Sequence, residues 1–173
     1  MKEKIIIGID PGTRVTGYGI LKVKQNQFLP LDFGCIKPPA AKALSDRYEI
    51  IFSSLQQLID TFAPTEMALE TPFFHKQKNP QSSLKLGIAM GCALLAAKTK
   101  GIKVFGYSPR EVKCSVVGTG KASKEQVQQT IMRFLTLKSA PEPQDAADAL
   151  AIAICHITSA SCLSFSKTSA KEL

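Results

Sequence analysis

The run Ile5-Ile6-Ile7-Gly8-Ile9-Asp10-Pro11-Gly12 limits the possible folds of this chain more than any other stretch. It is short, β-branched and uncharged until Asp10, so it reads as a buried strand. Pro11-Gly12 closes it with a turn. A second strand spans 15–23, where Gly17 and Gly19 alternate with Tyr18 and Ile20. One face of that strand is nearly bare and can sit close to another backbone or to a ligand. A third strand spans 28–36, and short turns predict an antiparallel meander of all three.

The rest of the chain alternates between helical and strand patterns. Over 40–62, Leu44, Tyr48, Ile51, Leu55, Leu58, Ile59 and Phe62 recur on one helical face. Pro64 stops that helix, and 66–70 is a short buried strand. A polar, aromatic and basic loop occupies 72–81. An Ala-, Leu- and Met-rich helix follows over 82–100, where Gly87, Ala89, Gly91 and Ala93 permit close packing or a partner helix. Gly101 ends it, and 103–107 is a fifth strand. Ser108-Pro109 starts a short helix to 117, with Ser as N-cap and Pro at the first helical position. Gly118-Thr119-Gly120-Lys121 is a basic turn, and Ser123 with Gln126 forms a capping box for the next helix. A linker over 137–143 leads to a last helix over 144–158. The tail over 159–173 is rich in Ser and Lys, a composition that predicts mobility. The expected fold is α/β: a mixed five-stranded sheet, its first three strands antiparallel, flanked by helices.

Composition narrows the function. The 173 residues suit one domain with a sizeable core. No apolar run reaches the ~18 residues needed to span a bilayer, so no membrane association is expected. The strand-like start leaves no room for a signal peptide. Five cysteines (Cys35, Cys92, Cys114, Cys155, Cys162) show no metal-ligand spacing and read as reduced thiols of a cytoplasmic protein. Of the +8 net charge, the segment 73–124 holds ten basic residues against Glu111 alone, or +9. A solvated basic surface explains that on charge alone, and so does a surface for phosphate backbones.

Four acids stand where apolar segments end or begin: Asp10 after the first strand, Glu70 after Met67-Ala68-Leu69, and Asp145 and Asp148 at the start of the last helix. Individually, Asp10 can start a turn, Glu70 can be a surface strand end, and the Asp pair can favour a helix N-terminus. Jointly they can converge. Asp145 and Asp148 share a helix face, and adjacency of the first and fourth strands would set Asp10 beside Glu70. Such a group repels itself unless a divalent cation holds it, and all-oxygen ligands suit Mg²⁺ or Mn²⁺. Two such ions about 3.5–4 Å apart can activate water and stabilise a leaving 3′-oxygen.

Several motifs resemble the RuvC family of bacterial Holliday-junction resolvases. Residues 7–19, Ile-Gly-Ile-Asp-Pro-Gly-Thr-Arg-Val-Thr-Gly-Tyr-Gly, are similar to its first motif. Leu69-Glu70 with Phe73 resembles the second, and Ser83-Leu84-Lys85-Leu86-Gly87 resembles the dimer-helix region. Arg110-Glu111-Val112-Lys113, Val116 to Gly120, Lys124 to Gln128 and Asp145 to Ala151 complete the series, which covers about 5–158 in order. The resemblance implies a ribonuclease H-like nuclease domain over 1–158. It implies a homodimer that makes paired Mg²⁺-dependent incisions in four-way junction DNA during recombination and repair, working with the RuvA-RuvB branch-migration complex. Asp10, Glu70, Asp145 and Asp148 match the catalytic acids, and Lys113 and Lys124 match basic residues needed for activity. Phe73 matches an aromatic that inserts among bases. The loop after Glu70 looks longer than the family's, however, so Phe74 stands as an alternative. Arg14, Lys76, Lys78, Lys85, Arg110 and Lys121 join Phe73, Phe74, Lys113 and Lys124 as candidate DNA contacts. His75 reads equally as a phosphate contact or a surface histidine, and His156 as structural.

Two other readings compete. The 7–13 segment also resembles the first phosphate loop of actin- and sugar-kinase-type ATPases, but those need two lobes and this chain has room for one. A non-catalytic junction binder would share the basic segment and the aromatic loop; the intact acid set argues against it.

Overall fold

In a computed structural model, residues 3–25, 27–71, 80–162 and 171–173 are described. The elements run β1 (Lys4–Asp10), β2 (Thr16–Lys24), β3 (Gln27–Ile36), α1 (Leu44–Phe62), β4 (Glu66–Glu70), α2 (Pro80–Lys98), β5 (Lys103–Tyr107), α3 (Pro109–Val117), α4 (Lys124–Phe134), α5 (Gln144–Cys162) and β6 (Lys171–Glu172). All five expected strands are present. Their order is β3-β2-β1-β4-β5, and β6 adds a sixth at the β5 edge, a strand the sequence pattern did not signal. β1 pairs antiparallel with β2, and β2 with β3. β1 and β4 run parallel, as do β4 and β5.

Alternation along the strands sorts the core into two layers. Ile7 and Ile9 of β1 pack with Ile51, Leu55 and Ile59 of α1 and with Ala93, Ala96 and Ala97 of α2. Ile6 faces the other way, toward Leu150, Ile154 and the buried residues of α3 and α4. The apolar α5 is thus a central helix that covers β1 and β2.

Three glycines allow that helix to lie unusually close. A Cβ on Gly8 would fall 2.2 Å from the Ala149 carbonyl oxygen, and one on Gly17 would fall 2.1 Å from the Asp145 carbonyl oxygen. A Cβ on Gly19 would meet the Leu150 side chain at 2.8 Å. The bare face of the second strand is therefore a seat for helix backbone.

Two helix starts differ from the pattern. α1 begins at Leu44, not 40, because Pro38-Pro39 feeds a turn closed by the Lys42 N–H on the Pro39 carbonyl. α2 begins at Pro80, not 82, since proline is tolerated in a first helical turn. The caps at Ser108 and Ser123 form as expected, each a full capping box.

His156 is structural, as its apolar helix suggested. Its Nδ1 lies 2.6 Å from the Tyr107 hydroxyl and its Nε2 lies 3.0 Å from Glu66 Oε2. Its ring sits 4.7 Å from the Phe105 ring centre. His156→Leu should leave the buried Tyr107 hydroxyl unpaired and take one of two partners from Glu66, which keeps Lys4, and so destabilise the fold by about 1–3 kcal/mol, read by denaturant unfolding. Cleavage per folded molecule should not change.

Candidate active site

The parallel pairing of β1 with β4 matches Ile9 with Leu69, so the next residues, Asp10 and Glu70, leave the sheet side by side. Asp10 has the parity of Gly8 on β1, and Glu70 that of Ala68 on β4. Both therefore point to the α5 layer. Asp145 and Asp148 arrive from above, at the N-terminus of α5, where the helix dipole favours negative charge. Gly17 is the register partner of Asp10, and the Asp145 backbone rests on it. Two strand ends and one helix start thus converge.

The electrostatics show that these groups share one space. Burial pushes the Asp10 carboxyl up to about 7, and Glu70, Asp148 and Asp145 push it further in the same direction, against Lys124. Burial also raises the Asp148 carboxyl, although Lys124 and Lys113 pull it down. Lys124 Nζ lies 3.6 Å from Asp148 Oδ2. Lys113 and Lys124 therefore both act on the acid group. Among the described residues, no three His, Cys, Asp or Glu side chains are drawn close enough to hold a metal ion. The donor set still fits a hard divalent ion: it is all oxygen, and a carboxyl raised to about 7 is one that a cation would return to its charged form.

The other candidate contacts are spread around this end. Arg14 is exposed on the loop that follows Asp10. Lys85 is exposed near the start of α2, where its carbonyl accepts from the Tyr48 hydroxyl at 3.1 Å. Arg110 lies across the 118–121 turn, so close that a Cβ on Gly120 would be 2.7 Å from its Cγ. Lys121 is exposed on the same turn. Phe73, Phe74, His75, Lys76 and Lys78 lie outside the described residues.

Sequence patterns missed three residues here. Cys35 is the other register partner of Gly17, so Asp10, Gly17 and Cys35 form one row across the sheet. Burial and then Asp145 raise the Cys35 thiol, while Lys37 and the nearby Ala146 backbone pull it down. Thr16, fully buried, donates to the Gly12 carbonyl at 2.7 Å and locks the loop after Asp10. Arg47 of α1 donates to the Thr13 carbonyl from the far layer. Strand pairing alone brings Cys35 into place, and no local pattern marks it or Arg47. Thr16 lay within the first motif but carried no periodic signal.

The family model described as crossover junction endodeoxyribonuclease RuvC matches residues 6–156. A protein of that name from Protochlamydia amoebophila is 49% identical over 154 residues, covering 89% of this chain and 90% of its own length. One from Legionella pneumophila subsp. pneumophila is 49% identical over 152 residues, covering 88% and 86%. The solved structure of T. thermophilus RuvC in complex with Holliday junction substrate superimposes with a TM-score of 0.89 at 33% identity, covering 98% of this chain and 99% of that one. The expected ribonuclease H-like fold is the observed one, and neither the ATPase lobe nor the non-catalytic binder is favoured. On sequence match, fold and length alike, this chain belongs to the RuvC family of crossover junction endodeoxyribonucleases.

Proposed function

We propose that the chain resolves four-way DNA junctions by paired hydrolysis of opposing strands, with Asp10, Glu70, Asp145 and Asp148 holding Mg²⁺, two ions per site, for which Mn²⁺ can substitute. The observation that carries this is the convergence of two strand ends with the start of α5, which buries Asp10 among Glu70, Asp145 and Asp148; burial first, and then these three acids, raise its carboxyl to about 7, with Lys124 and Lys113 acting on the same group. Bound there, the ions would supply an activated water and charge stabilisation at the leaving oxygen. The protein's part is positional. Glycine contacts seat α5 so that its two aspartates face the strand ends. Lys113 and Lys124 offset charge that develops on the phosphate. Arg14, Lys85, Arg110 and Lys121 take the DNA backbone, and so do Lys76 and Lys78. Phe73, or Phe74 in its place, stacks on a base at the crossover, worth roughly 1–3 kcal/mol by alanine substitution. Incubation with a synthetic four-way junction, with and without Mg²⁺, tests the reading. Symmetric cuts on opposing strands that require the ion support it; binding without cuts overturns it.

The same reading calls for two sites in one assembly, and α2 supports a homodimer. Met90 and Leu94 pack toward α1, so two of the four-residue series Leu86, Met90 and Leu94 belong to the core side. A different row faces outward: Leu84, Ile88 and Leu95 are 67%, 41% and 60% exposed. Gly87 and Gly91 lie with them, each with open space where a Cβ would stand. A second copy of α2 can approach closely there. Ile88→Glu should shift the protein to monomer in sedimentation and replace paired cuts with isolated nicks. An unchanged dimer would place the interface elsewhere. Family membership supports cytoplasmic action with RuvA-RuvB. No described helix is long and apolar enough to cross a membrane.

A further inference from the structure

The geometry points to Arg47 as a positioning residue for substrate DNA, acting through the loop that carries Arg14; this rests on the proposed placement of Arg14 on the DNA backbone. The loop between β1 and β2 is fixed at two points. At the first, Gly12 and Thr16 close on each other: the Thr16 hydroxyl donates to the Gly12 carbonyl at 2.7 Å and accepts its N–H at 3.4 Å. A Cβ on Gly12 would fall 2.1 Å from the Val15 carbonyl oxygen, so this turn has no slack. At the second, the Arg47 guanidinium donates to the Thr13 carbonyl. Thr13 immediately precedes Arg14, which is exposed. Gripping the Thr13 carbonyl fixes the peptide plane from which Arg14 departs.

The grip comes at a cost. Arg47 Nε is buried and has no hydrogen-bond partner among the described residues. An unpaired buried donor is unfavourable. The neighbouring side chain makes a parallel tie: the Tyr48 hydroxyl donates to the Lys85 carbonyl at 3.1 Å. One end of α1 therefore fastens two segments that bear candidate phosphate contacts, although its own residues stand behind them.

The test is the salt dependence of binding to a synthetic four-way junction, in chelator so that no cutting occurs. The slope of log affinity on log salt falls by about 0.9 for each phosphate that is no longer neutralised. Arg14→Ala should lower it by about 0.9. Arg47→Ala should do the same, and the double variant should fall by about 0.9 in all, because both changes release the same phosphate. Arg47→Lys keeps a donor for the Thr13 carbonyl and should restore the wild-type slope. Arg47→Met keeps the aliphatic stem and replaces Arg47→Ala should that variant fail to fold. A double variant whose slope falls by about 1.8 overturns the inference, since Arg47 would then meet phosphate itself. A wild-type slope in Arg47→Ala overturns it while leaving Arg14 on the DNA. A wild-type slope in Arg14→Ala overturns both.

Discussion

Asp10→Asn should abolish junction cleavage, leave junction binding intact or tighter, and raise the melting temperature of the metal-free protein. Loss of a charged group at the centre of the site should lower the rate at least ~10²–10³-fold, the scale of one charge-stabilising contact. Binding survives because the basic surface is untouched and one negative charge facing phosphate is gone. The stability effect follows from the Asp10 carboxyl, raised from 3.8 to about 7 by burial and then by Glu70, Asp148 and Asp145. Between those values the folded chain holds a proton that the unfolded chain has released. Stability therefore falls as pH rises from about 4 to 7 and stays low above it. A rise of that size corresponds to up to about 4 kcal/mol, less whatever solvent and counter-ions screen. Asparagine cannot ionise, so the variant should gain on wild type across that window and keep the gain at pH 8. Mg²⁺ should raise the wild-type melting temperature and release protons near pH 6, because the ligand must be charged to bind. Equal melting curves at pH 8, or full cleavage by the variant, would remove Asp10 from the centre of the site.

Gly17→Ala should be the most damaging change outside the acids. Its Cβ would fall 2.1 Å from the Asp145 carbonyl oxygen and 2.6 Å from the carbonyl carbon. Both are backbone atoms, so no rotamer change relieves the overlap. Either the start of α5 lifts from β2 or the strand bends away. Overpacking of this kind costs about 1–3 kcal/mol and sometimes more. The damage to activity should exceed the loss of stability, because the displaced turn carries Asp145 and Asp148. A melting temperature several degrees lower and a large loss of cleavage in the folded fraction are expected. Gly17→Ala with near-wild-type cleavage would show that α5 can shift without moving its aspartates away from Asp10.

The local elements were legible from local chemistry. Buried strands announce themselves by β-branched runs, as in Ile5 to Ile9, and helices by spacing, as in Ile51, Leu55 and Ile59. Ser108-Pro109 and Ser123 with Gln126 mark helix starts because the capping side chains lie within three residues of the N–H groups they serve. The four acids could be named because each stands at the end of such an element, and the order of motifs identified the family. What the sequence could not state is pairing. β4 lies beside β1 although β2, β3 and α1 intervene in the chain, and that adjacency alone sets Glu70 next to Asp10. Cys35 enters the same row through two successive pairings, and Arg47 reaches the Asp10 loop from the opposite layer. β6 returns to the β5 edge with only two strand residues, Lys171 and Glu172, too few for any periodicity. The outward row of α2 was also undecided, because a helix apolar on most of its surface has no single face by pattern. Its packing against α1 consumed Met90 and Leu94 and left Leu84, Ile88 and Leu95 outside. Propensity and capping act over a few residues and can be read along the chain. Strand adjacency, helix seating and the shared field of distant carboxylates arise from contacts between residues far apart in sequence, and only the folded arrangement decides them.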